Sequence, residues 1–137
     1  MGGKIDFVGT PENPGPELEL RRLVKEYNVI EIAYDEYQLY SMMSRLRGEL
    51  SVFCRRFPQG GGRHSRLVAD SALRDNIRDK NILHDGNPHL REHLQNADAK
   101  VDTEDRKVRI VKRVEKLKID LAVCLSMASY EVFRLNI

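Results

Sequence analysis

VIEIAYDEYQLYSMMSRLRGELSVFCRRF, residues 29–57, decides the fold class. Val29 to Tyr34 is a near-continuous run of β-favouring residues, as expected for a strand buried on both faces. Residues 36–48 read as a helix closed by Gly48. Leu50 to Phe57 returns to a strand, stopped by Pro58 and the Gly60–Gly62 turn. Strands alternating with helices make this an α/β chain.

The flanks fit that reading. The opening, MGGKIDFVGTPENPGPE, has four Gly and three Pro in 17 residues and predicts an irregular arm over 1–17. A helix follows at 16–27 with Leu18, Leu20, Leu23 and Val24 on its apolar face. Beyond Phe57, residues 64–80 predict a helix with Leu67, Val68, Ala72, Leu73 and Ile77 inward. Asp85-Gly86-Asn87-Pro88 turns the chain, and Pro88 suits the first position of a helix through about Asn96. Residues 98–102 and 106–112 pair as a hairpin with an acidic tip at Asp102–Asp105. A final helix spans about 115–134. Residues 18–137 are expected to form the folded domain.

Composition sets further bounds. A chain 41% hydrophobic and 32% charged is globular rather than disordered. The net charge of +2 is small, but its placement is informative. Residues 1–20 hold one Lys against four acids, whereas residues 100–118 hold eight Lys or Arg against four acids. Cys54 and Cys124 lie in apolar company outside any CxxC pair and read as reduced core residues. No signal-peptide pattern or spanning apolar run is visible, so the expected setting is cytoplasmic, away from membrane.

Two acids stand out. Asp35 follows the strand of residues 29–34, where ligands of α/β sheets often sit. It suits a metal ligand, and it equally suits a cap for the next helix. Asp120 opens an almost wholly apolar helix and has Val123, Cys124 and Met127 at i+3, i+4 and i+7. That spacing places it on the buried stripe, where a carboxylate needs a metal, a cation such as Lys116 or Lys118, or the helix N-terminus. The run Lys107, Arg109, Lys112, Arg113, Lys116, Lys118 tracks phosphates or forms a solvated sheet face. Period two sets Arg109 opposite Val108 and Ile110. No aromatics interleave with this run, so it does not indicate base stacking. His89-Leu90-Arg91-Glu92-His93 matches an HxxEH zinc pattern, but it also reads as a helix with Leu90 and Leu94 buried. The chain has neither the GxxxxGK[ST] loop of an ATPase nor a GxSxG nucleophile motif.

Taken in order, VIEIAYDEYQ at 29–38, FPQG at 57–60, HDGNPHLREHLQNADAK at 84–100 and RIVKR with KIDLAVCLSMA over 109–128 resemble the C-terminal nuclease region of tailed-phage terminase large subunits. The resemblance covers about 18–134. It implies an RNase H-like fold and cleavage of concatemeric double-stranded DNA during packaging, with Mg²⁺ or Mn²⁺. It also implies that Asp35 and Asp120 are catalytic metal ligands of a two-metal site, with ions about 4 Å apart. Lys107, Arg109, Lys112, Arg113 and Lys118 would hold the DNA backbone. His84 and Asp85 match a segment near the site without an assigned role. The implied partners are the remaining terminase segment, the small terminase subunit and the portal, in the cytoplasm of a host carrying the phage or prophage.

The sequence departs from the family in one respect. The family carries a further Asp on an upstream strand, and the only Asp upstream here is Asp6, inside the Gly/Pro-rich arm. The ATPase motor is also absent, so the reading is of a nuclease fold truncated at its N-terminal strands. Losing those strands would leave a sheet edge open to association. The alternative is a non-catalytic nucleic-acid-binding or oligomerising remnant of that domain. A zinc protein using His89 and His93 is the distant alternative.

Overall fold

In the computed structural model, a strand at Glu31–Tyr34 (β1) pairs in parallel with a strand at Phe53–Arg56 (β2). A helix at Tyr40–Glu49 (α2) makes the crossover. The register sets Glu31 against Phe53 and Tyr34 against Arg56. Parallel partners need such a connection, and the strand–helix–strand order supplies it. The structure describes residues 6–101 and 107–137. They divide into two compact units, Met1–Arg56 and Phe57–Ile137, each described by itself.

The first unit begins with an irregular stretch that is nevertheless tied down. Asp6 Oδ1 accepts from Val8 N and Gly9 N, and Gly9 bridges Pro14. Gly9 has φ of +72°, and an added Cβ there would meet backbone atoms at 2.2–2.8 Å, so only glycine fits the turn. The first helix, Pro16–Glu26 (α1), starts with Pro at its N-terminus and has Glu17 and Glu19 in its first turn and Lys25 in its last. Tyr34, Met42, Met43, Leu46 and Cys54 form the core, with Phe7, Leu20, Ile32, Leu39 and Leu50 packed against it. Glu17 is also buried and is ion-paired to Arg21 and Arg45.

Several expectations change here. β1 is shorter than residues 29–34 and only Tyr34 is buried, because among the described residues β1 has one neighbouring strand. The second strand is likewise confined to Phe53–Arg56. Residues 36–39 are turn rather than helix, since Leu39 N bonds to Glu36 O and Gln38 adopts φ of +62°. Gly48 lies inside the last turn of α2, and the helix stops at Leu50 instead.

The second unit packs helix Arg66–Arg78 (α3) against helix Asp120–Leu135 (α5) and the hairpin Ala97–Val101 (β3) and Val108–Lys112 (β4). Helix Pro88–Gln95 (α4) also meets α5. The hairpin is antiparallel with Ala97 opposite Lys112 and Val101 opposite Val108. Its expected acidic tip lies outside the described residues. The core is Phe57, Ala69, Leu73, Val108, Ile119, Ala122, Met127 and Tyr130. The rings of Phe57 and Tyr130 meet edge to face at 5.9 Å.

The inward stripe of α3 differs from the expected one. It runs through Arg66, Ala69, Asp70 and Leu73, while Ile77 is exposed. The cause is a buried ion pair. Asp70 accepts Arg66 Nε at 3.0 Å, Arg66 Nη2 at 2.9 Å, Ile110 N at 2.9 Å and the Ser126 hydroxyl. Arg66 also donates to Gln59 Oε1 at 3.1 Å and to Ile110 O at 3.3 Å. With these partners both buried charges are satisfied, so the polar stripe can turn inward without a stranded group. No helix in the described residues is long and apolar enough to cross a membrane.

Candidate metal and nucleic-acid site

Asp35 leaves the end of β1 half-buried, and its Oδ1 accepts from Tyr37 N at 3.0 Å. This is an Asx turn and not the helix cap allowed from sequence, because α2 begins only at Tyr40 with Leu39 at the cap. The turn consumes one acceptor site of one oxygen, and among the described residues no other hydrogen bond reaches this carboxylate. The neighbouring Glu36 is held by Arg56 at 3.0–3.2 Å across the ends of the two strands.

Asp120 is the first residue of α5. It is exposed, and so is Cys124, which corrects the expectation that both lie on the buried stripe. The buried face of α5 is instead Ala122, Ser126, Met127, Tyr130 and Glu131, rotated toward α3 by the hydrogen bond from Ser126 to Asp70. An exposed carboxylate at a helix N-terminus is stabilised by the macrodipole and needs no buried cation. Although Cys124 is exposed, desolvation, followed by the nearby Asp120 carboxylate, raises its thiol above the ordinary range. Burial likewise pushes the Cys54 thiol up, so neither sulfur is an activated nucleophile.

α4 anchors this end of α5, a contact the sequence did not reveal. His93 Nδ1 accepts from Leu121 N at 2.9 Å, and Asn96 Nδ2 donates to Lys118 O at 3.0 Å. For a neutral imidazole this fixes the proton on Nε2. α4 is itself capped by Asn87, whose Oδ1 accepts from His89 N and Leu90 N. His84 and Asp85 build the turn before it by accepting from Gly86 N and Asn87 N. His84 also lines a cleft of about 660 Å³ with Ile77, Ile82, Leu90, Leu94 and Leu125. Leu90 and Leu94 are only half-buried. His89 is exposed, the Nδ1 of His93 is occupied, and among the described residues no group of three or more metal-ligating side chains forms around them.

The cations of 107–118 are arranged differently from several arginines of the first unit. On β4, Val108 is buried and Arg109 exposed, as the alternation predicts. Arg109 reaches Gln59 O at 3.3 Å, Lys112 reaches Glu115 O at 3.4 Å and Arg113 reaches Ala97 O at 3.4 Å. Among the described residues none of Lys107, Arg109, Lys112, Arg113 and Lys118 is ion-paired. By contrast, Arg21, Arg22, Arg45 and Arg56 in the first unit all meet carboxylates.

A family model for the terminase large subunit, endonuclease domain, matches residues 19–134. The chain belongs to that family. No curated protein and no solved structure matches it significantly. Membership makes this an α/β chain of the RNase H-like nuclease class, from the DNA-packaging machinery of phages. The donor chemistry of Asp35 and Asp120 suits a hard divalent cation such as Mg²⁺ or Mn²⁺. Their number is short, however, since no group of three or more His, Cys, Asp or Glu able to hold a metal occurs among the described residues.

Proposed function

We propose that this terminase nuclease domain cleaves double-stranded DNA with Mg²⁺ or Mn²⁺, and that Asp35 and Asp120 are the carboxylates that hold the metal. When bound, such ions polarise a phosphoryl oxygen and lower the pKa of a coordinated water. The chain's own residues supply position. The Tyr37 amide orients Asp35, the His93 contact holds the first turn of α5, which carries Asp120, and the Asn96 contact holds Lys118 just before it. Lys107, Arg109, Lys112, Arg113 and Lys118 hold the phosphate backbone. Their lack of acidic partners among the described residues is the observation that carries this reading, because a cation bound to a carboxylate has little left for phosphate. The natural partners are DNA, the other terminase segments, the small subunit and the portal.

Mn²⁺ binding followed by electron paramagnetic resonance tests the metal assignment. Two carboxylates leave much of the ions' charge uncompensated, so the chain should bind Mn²⁺ weakly and nick plasmid DNA slowly. Asp35→Asn and Asp120→Asn should each lower Mn²⁺ affinity without altering the circular dichroism spectrum. Cleavage that survives both substitutions would overturn the assignment. For DNA, Arg109→Ala with Lys112→Ala should reduce the slope of log affinity against log salt by about 1.8. The shortage of metal donors among the described residues favours a second reading, a DNA-binding domain that does not cut. Strong binding with a steep salt slope and no Mn²⁺ affinity would select it.

A further inference from the structure

α2 separates two kinds of surface. Met42, Met43 and Leu46 enter the core, while Tyr40, Ser41, Ser44, Arg47 and Gly48 are exposed. Positions 40, 44, 47 and 48 follow i, i+4, i+7 and i+8, so they share one face. Tyr40 is 61% exposed, and Tyr37, in the turn leading into the helix, is 76% exposed. Neither ring stacks on another among the described residues. The turn that presents them is stiff, with Asp35 bonded to Tyr37 N, Leu39 N bonded to Glu36 O, and Gln38 held at φ of +62°. A non-glycine residue held there stores strain that the surrounding contacts must maintain.

The chemistry of this face is specific. Arg47 is not ion-paired among the described residues, and no carboxylate shares its stripe. Of the nearby acids, Glu36 and Glu49 are held by Arg56 and Arg21, and Asp35, which flanks Tyr37, accepts from Tyr37 N. Gly48 has nothing within 4 Å of an added Cβ, which leaves the surface flat and open. Two free aromatic rings, two hydroxyls and one unneutralised guanidinium match an anionic polymer that also offers π-faces. A blunt duplex hides its base faces and an unpaired strand exposes them. We propose that the Tyr37–Arg47 face grips unpaired bases of nucleic acid, with Tyr37 and Tyr40 stacking and Arg47 on the adjacent phosphate. This rests on the reading of the chain as a DNA-acting domain and adds the preferred form of substrate. Frayed or opened DNA would be held beside Asp35, and fully paired DNA would not.

The test compares an oligothymidylate, the same strand bearing abasic sites, and a blunt duplex, all at low salt. The chain has five Tyr and no Trp, so tyrosine fluorescence reports stacking directly. Tyr37→Ala and Tyr40→Ala should each weaken oligothymidylate binding at least about fivefold and abolish part of the quenching. The abasic strand should bind the intact chain as weakly as the intact strand binds the double Ala variant. Duplex affinity should change less than about twofold, by the same stacking argument. Tyr37→Phe with Tyr40→Phe should keep full affinity, because the ring and not the hydroxyl stacks. Tyr27→Ala, which removes another exposed tyrosine, should have no effect. Unchanged oligothymidylate affinity in the double Ala variant overturns the proposal, as does self-association of the chain that this variant abolishes. If Arg109→Ala with Lys112→Ala weakens duplex binding while the tyrosine variants do nothing, only this inference fails. If no probe binds at low salt, the DNA reading fails with it.

Discussion

Replacing Asp70 by Ala should be the most damaging single change in the second unit. The carboxylate side chain has no exposed surface, and the Arg66 side chain is 7% exposed. Removing Asp70 strands a buried guanidinium, which costs about 3–5 kcal/mol. The Ile110 amide and the Ser126 hydroxyl lose their acceptor as well, each worth about 1 kcal/mol. These losses belong to one network and do not add fully, so about 4 kcal/mol is the expected total. Against a total stability of roughly 5–15 kcal/mol, that brings the unit near unfolding at ordinary temperature. The assay is urea denaturation followed by circular dichroism, with amide exchange at Ile110 as the local probe. Arg66→Leu with Asp70→Leu should be less destabilised than Asp70→Ala alone, because no charge is left behind. A loss below about 1 kcal/mol for Asp70→Ala, or a double variant worse than the single one, would refute the reasoning.

Two further outcomes follow from the same kind of accounting. Burial works to raise the Glu17 carboxyl, but hydrogen bonds from Arg45 and Arg21 outweigh it and hold the group below the usual carboxylate range. A depressed folded pKa means the stability is present above the unfolded value of about 4.3 and is lost as pH falls through the folded one. Acid should therefore loosen the first unit, and the stability gap between the natural chain and Glu17→Gln should narrow from pH 7 toward pH 3 in urea melts. A gap independent of pH would show that Glu17 does not carry the effect. His93→Ala should leave Leu121 N without its acceptor, cost about 1 kcal/mol and speed exchange of that amide. Unchanged exchange at Leu121 would mean that α5 holds its first turn without α4.

Hydrophobic pattern revealed the element order, and element ends were legible where the chemistry was local. Pro88 starts α4, and Pro16 starts α1. Ends set by side-chain hydrogen bonds were not legible: Asp35 closes a turn on Tyr37 and delays α2 to Tyr40. The stripe of α3 was misread because apolar residues were taken as its inward face. The signal available was Arg66 and Asp70 at i, i+4 in line with Ala69 and Leu73, opposite a helix bearing Ser126. The same omission put Asp120 on the wrong face of α5, since the position of Ser126 decides which side of that helix turns inward. Asp35 and Asp120 were proposed from strand and helix ends together with family resemblance, whereas the His93 and Asn96 contacts span 28 and 22 residues of sequence and leave no local pattern.

The bond from Ile110 N to Asp70 also has a directional consequence. Strand side chains alternate sides, so sliding β4 by one residue would turn Arg109 toward α3 and Ile110 outward. It would also move the Ile110 amide off Asp70 and its carbonyl off Arg66. The interior charge pair thus acts as a ratchet tooth for the hairpin. It admits one alignment of β4, the one in which Arg109 points away from the core, so the outward display of positive charge is enforced from inside the protein.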